Sequence, residues 1–177
     1  NGQVQLGPLN NHGVVNFRNK RPTAAPETTG ELSLGNFGTS RQHLMHRRTD
    51  GRVGTVFAWT RFAADGIFDV EATRFNDFYA ATEVQLTPQQ TLSASATYLR
   101  ERSNYDESNL TPQEFALAPA TKRGRFGQEF NSIAVDYLKA DLRHEWHAAG
   151  GMTVATRLFA TDLDRPHAIR GAGPPSG

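Results

Sequence analysis

Three groups of residues in this chain are of types that can do chemistry. Histidines stand three apart in "HLMH" (His43 and His46) and again in "HEWH" (His144 and His147). On a helix this spacing offers two ligands to one metal ion. On a strand the two side chains point to opposite faces, so one ion cannot take both. Neither stretch is the His-Glu-x-x-His pattern of a zinc hydrolase. Glu145 beside His144 has the residue types of an acid/base pair, against the simpler reading of a water-facing charge beside an interfacial histidine. Asp162 and Asp164 in "DLDRPH" are oxygen ligands of the kind calcium takes, but the glycine and distal glutamate of a calcium loop are missing. The third group is basic: Arg100 and Arg102, then Lys122, Arg123 and Arg125. Guanidinium groups hold anions through paired, charge-assisted hydrogen bonds. Arg100, Arg102, Arg123 and Arg125 are therefore the candidate ligand-binding residues. Lipid-headgroup contact or plain solvation is the competing reading for each. No Ser-His-Asp arrangement, phosphate-cradling glycine loop or thiol appears, so the expectation is no enzyme, no catalytic residue, no metal site and no cofactor.

The elements that would carry these residues alternate with period two. In "TLSASATYLRER", Leu92, Ala94, Ala96 and Tyr98 share one face, while Thr91, Ser93, Ser95 and Thr97 share the other. In "YLKADLRHEW", Leu138, Ala140, Leu142 and Trp146 oppose Lys139, Asp141, Arg143 and Glu145, with His144 the one polar residue on the apolar side. "DFYAATEVQL" places Phe78, Ala80, Val84 and Leu86 together, and "MTVATRLFAT" places Met152, Val154 and Leu158 opposite Arg157. "RVGTVFAWTRF" is strand by its Val, Thr, Phe and Trp content, and "GELSLGNFG" and "RQHLMHRR" are weaker strands. About seven strands result. One short helix fits "TPQEFALAP", with Thr111 as cap, Pro112 in the first position and Glu114 in the first turn. "TAAPETTG" reads as a linker.

The chain has 177 residues, enough for one domain. Its net charge of +1, with both signs mixed along the chain, argues against a nucleic-acid surface. It has no cysteine, which excludes disulfides and thiolate metal sites. No apolar run approaches the ~20 residues of a membrane helix. A membrane barrel stays open, because its strands are only half apolar. The connections lean that way. "TDG", "TPQQ" and "HAAGG" are short, whereas Ala63 to Arg74 and Ser103 to Asn131 are long and polar, and barrels alternate short turns with long outer loops. "NFGT" is short where a long link belongs. Trp59 and Trp146 fall near opposite edges of an apolar band ~25 Å tall. On these residues alone a membrane barrel and a soluble all-β binding domain, such as a carbohydrate-recognising sandwich, both stand, with a small plug-less barrel as a third reading.

The opening stretch "GVVNFRNKRP" (Gly13, Val14, Val15, Asn16, Phe17, Lys20, Arg21, Pro22) resembles the closing plug strand of TonB-dependent outer-membrane receptors, with His12-Gly13 where that family usually has a glycine pair. "SNLTPQEFALAPATKRGRF" is similar to the third extracellular loop of the ferric-citrate branch, through Leu110, Thr111, Glu114, Phe115 and Pro119. The strand after it suits that branch, and the likeness runs from about Val14 to Leu163. The resemblance implies an all-β fold: the end of a plug (1–22), a linker (23–30) and the first strands of a transmembrane antiparallel barrel (31–177), a fragment of a far longer receptor. It implies a ferric chelate (ferric citrate or a siderophore) as ligand, TonB as partner through a segment missing here, outer-membrane lipid and lipopolysaccharide around it, and a bacterial outer-membrane location. About seven strands cannot close such a barrel, so this chain alone is expected to aggregate or to need more strands.

Overall fold

The computed structural model describes residues 20–66, 71–105, 112–117 and 131–168. The plug-like strand up to Asn19, Thr111, and the basic loop holding Lys122, Arg123 and Arg125 lie outside them. The fold is all-β, as expected: β1 (Glu27–Leu34), β2 (Ser40–Asp50), β3 (Val53–Ala64), β4 (Ala72–Thr87), β5 (Gln90–Tyr105), β6 (Asn131–His147), β7 (Thr153–Asp164) and β8 (His167–Ala168) form one antiparallel sheet. The only α-helix among the described residues is α1 (Pro112–Leu117), inside the link where the sequence placed it.

Each strand pairs with the next in sequence from β1 to β7. The eighth strand is a continuation and not a new neighbour. Asp136 pairs Asp164 and Ile133 pairs His167 in one unbroken register, and between them the Ala134 amide donates to the Pro166 carbonyl at 3.0 Å. Pro166 has no amide to give, and an edge strand is where a sheet tolerates it.

The turns follow residue chemistry. Gly51 and Arg52 join β2 to β3, with Gly51 at φ 56°, and glycine is the residue that such hairpin turns favour at positive φ. Pro88 and Gln89 join β4 to β5 beside a register shift between Gln85 and Thr87. Gly150 and Gly151, both left-handed, carry the turn from β6 to β7.

Two boundaries differ from the sequence reading. β1 begins at Glu27, so "ETTG" is strand and not linker: Glu27 lies opposite Arg47 and ion-pairs with it at 2.6 Å, and Thr28 and Thr29 are β-branched. β3 runs to Ala64 and β4 starts at Ala72, so the link between them is shorter than Ala63 to Arg74. Polar residues continue the alternation past the apolar stretch, and hydrogen-bonded pairing follows the backbone, not the hydropathy.

The two faces match the sequence pattern. On one face Phe78, Ala80 and Val84 stand opposite Tyr98, Ala96 and Leu92. Tyr98, Ala96 and Ala94 stand in turn opposite Leu138, Ala140 and Leu142. This face is open: Tyr98 is 39% exposed, Leu138 49% and Leu142 41%. The other face is more sheltered and carries Ser93, Ser95, Thr97, Lys139, Asp141, Arg143 and Glu145. Met45 and Val56 are the only buried apolar side chains among the described residues. Both lie on the sheltered face, where Pro22 crosses over Gly54.

Candidate functional site

The predicted ligand residues fall into two sets. Arg123 and Arg125 are outside the described residues. Arg100 and Arg102 are at the end of β5 nearest the long link, and the strand parity puts them on the open face with Tyr98. They do not converge on the sheltered face, where a barrel would hold its lumen.

Both arginines are tied to one carboxylate on β6. Arg102 donates to Asp136 at 2.5 Å, Arg100 approaches the same group at 3.7 Å, and the Tyr98 hydroxyl donates to it at 3.3 Å. Arg102 also donates to the Glu101 and Val135 carbonyls at 2.6 and 3.2 Å. In register next to Arg102, on β4, stands Arg74. Like charges directly opposite on neighbouring strands destabilise a sheet, and Arg74 has a carboxylate of its own in Asp65. In the next row Arg61 on β3, Asn76 on β4 and Arg100 on β5 are consecutive register partners. The Arg61 side chain is exposed and makes no hydrogen bond or ion pair with a described residue.

One row further in, Trp59, Phe78 and Tyr98 follow one another across the same three strands. Their rings stack in series, with centroids 6.5 and 6.4 Å apart. Trp146 stands at the other end of the apolar face, eight positions along β6 from Leu138, the register partner of Tyr98. That is about 26 Å of strand, so the two aromatic groups bound the apolar face. Between them, Ala80, Ala96, Ala140 and Ala160 form one row across four strands and floor a hollow of about 610 Å³ beside Leu142 and Leu158.

The sheltered face is held by charge pairs: Arg41 with Glu31 at 2.5 Å, Arg157 with Asp141 at 2.5 Å and Arg143 with Glu145 at 2.5 Å. His43 shares a 2.9 Å hydrogen bond between its Nδ1 and the Thr60 hydroxyl. Asp77, the register partner of Thr60, has one buried oxygen with no partner.

The histidine pairs separate as strand geometry requires. His43 meets Thr60 on the sheltered face and His46 meets Thr28 on the other. His144 lies toward Gln90, while Glu145, on the opposite face, pairs with Arg143 two residues before it on β6, so the two do not form an acid/base pair. Among the described residues no three His, Asp or Glu side chains are grouped to hold a metal, Asp162 and Asp164 included.

Sequence reasoning missed Arg61, Arg74 and Asp136. The signal was available: Arg61 is two residues beyond Trp59, and Arg100 and Arg102 two and four beyond Tyr98, so parity alone puts them on the aromatic face. Among the described residues no helix is long and apolar enough to cross a membrane, which leaves β-strand crossings untouched. In comparisons with family models, curated proteins and solved structures, nothing matches the chain.

Proposed function

We propose that this chain is part of the wall of a transmembrane β-barrel in the bacterial outer membrane, belonging to a TonB-dependent receptor that takes up an iron chelate of the ferric-citrate or siderophore type. The observation that carries the barrel reading is the open apolar face. A soluble β domain must pack Leu92, Ala94, Tyr98, Leu138 and Leu142 against a second layer, and no second layer covers them among the described residues. Lipid is the surrounding that lets such a face stay uncovered while a charged face turns inward. A plug-less eight-stranded barrel fits less well, since β8 pairs with β6 and does not reach β1.

The receptor reading rests on the resemblance of the opening strand and the long loop. It gains support from the path of Lys20–Thr23, which runs over the sheltered face as a connection from a plug inside the barrel would. In this reading the chain is a transporter segment and not an enzyme. The chelate binds at the end carrying the long links, and TonB acts on a plug.

Cysteine accessibility tests it. The chain has no cysteine of its own. In membranes containing the gene product that carries this sequence, Ser95→Cys should react with a water-soluble maleimide and Ala96→Cys should not. Equal labelling of the two neighbours would reject the membrane wall. Uptake of labelled ferric citrate, lost on deletion of the gene, tests the receptor reading separately.

A further inference from the structure

The outward arginines were expected to hold a chelate, yet they stand on the face that carries the stacked aromatic row. Resting on the membrane reading above, we infer that Arg61, Arg74, Arg100 and Arg102 form a headgroup site for a membrane lipid bearing a phosphomonoester.

The placement supports it. Trp59, Phe78 and Tyr98 mark the rim of the apolar face, and aromatic girdles lie at the level of lipid headgroups. Arg61 and Arg100 occupy the next row outward and Arg74 and Arg102 the one beyond. A lipid with its chains against Phe78 and Ala80 has its headgroup at these rows.

The charge supports it too. At this corner four guanidiniums on β3 to β5 have, among the described residues, two carboxylates as ion-pair partners, Asp65 just past β3 and Asp136 on β6. Arg61 has no partner among the described residues, and Arg100 keeps only the 3.7 Å approach to Asp136 with 59% of its side chain exposed. Arg61 and Arg100 flank Asn76, two strand spacings apart or about 10 Å between Cα atoms. Side chains of this length span that gap, and a phosphate placed over Asn76 would accept paired hydrogen bonds from each. The small amide of Asn76 between them adds a neutral donor. The cluster stops at β6, where Asp136 and Asp164 face each other, so the site is confined to one corner of the wall.

The test reconstitutes the gene product that carries this sequence in phosphatidylcholine vesicles, with a fluorophore on Leu44→Cys, which is on the open face opposite Trp59. Lipids spin-labelled on the acyl chain, with either a choline or a phosphomonoester headgroup, quench it as they bind alongside. The expected result is a roughly tenfold preference for the phosphomonoester lipid. The preference should vanish in the Arg61→Gln/Arg100→Gln double variant and rise in Asp136→Asn, which removes the competing carboxylate. No preference in the unaltered protein, or one that survives the double variant, overturns the inference alone. A preference erased by equimolar inorganic phosphate overturns the lipid as its source. A protein that alkaline carbonate strips from the vesicles overturns the membrane reading, and this inference with it.

Discussion

Arg47 donates to the Arg21 carbonyl at 3.2 Å through one nitrogen and to Glu27 at 2.6 Å through another, and its own carbonyl receives the Thr23 hydroxyl at 3.4 Å. Beside it Gly54 leaves room for Pro22: a Cβ at this position would stand 2.6 Å from the proline ring. A ring cannot swing aside as a long side chain can, so Gly54→Ala forces the segment off the sheet, at a cost of about 1–3 kcal/mol. Trypsin should then cut after Lys20 faster in Gly54→Ala and in Arg47→Ala. Gly30→Ala, where nothing lies within 4 Å, should leave the rate unchanged. This contact was hidden in the sequence, where Gly54 is only one glycine in a strand-like run; closeness between residues so far apart in sequence belongs to the fold. The histidine separation was legible from the outset, because parity on a strand is a local property. The direction of Arg100 and Arg102 was equally legible, because their position in the alternation already put them on the aromatic face.

At the scale of the strand, neighbouring residues live in different media. Ala96 is on the open face between Ala80 and Ala140, and Ser95 on the sheltered face beside Asp141. Ala96→Lys should therefore destabilise the membrane-inserted protein by about 2–4 kcal/mol, while Ser95→Lys should change it by less than about 1 kcal/mol. Urea unfolding from vesicles, followed by tryptophan fluorescence, measures both. Comparable losses would mean that the two faces meet the same surroundings. The strands themselves were legible because their alternation is strong and their turns carry glycine or proline. Their ends were not. β4 and β5 each run sixteen residues, longer than the 9–11 that cross a bilayer at a tilt. The surplus is polar, so hydropathy signals no stop, and only cross-strand hydrogen bonding shows where pairing ends.

For the whole molecule the decisive feature is the pair of free edges. Every residue of β1 and of β7 is exposed, and adjacent residues Leu158 and Phe159, which face opposite ways, are 65% and 71% exposed. Among the described residues neither strand has a neighbour on its far side. Unpaired edges recruit other strands. This 177-residue chain, placed alone in buffer without amphiphile, should sediment as concentration-dependent oligomers. A monodisperse monomer in analytical ultracentrifugation would contradict that. The all-β antiparallel nature of the sheet could be read from the sequence. That its edges stay open could not, because closure depends on how many strands meet, and local patterning carries no record of that number.

The strict neighbour-to-neighbour order of β1 to β7 also sets a timetable. Closing a chain segment costs entropy that grows with its length. The β2–β3 and β4–β5 hairpins close over two residues each, Gly51–Arg52 and Pro88–Gln89, whereas β6 reaches β5 only across residues 106–130. Assembly therefore zips from two local hairpins and waits at the β5–β6 seam. In pulsed hydrogen exchange during refolding, amides of β4 facing β5 should gain protection before those of β6 facing β5. Shortening the 106–130 segment should bring the two events together.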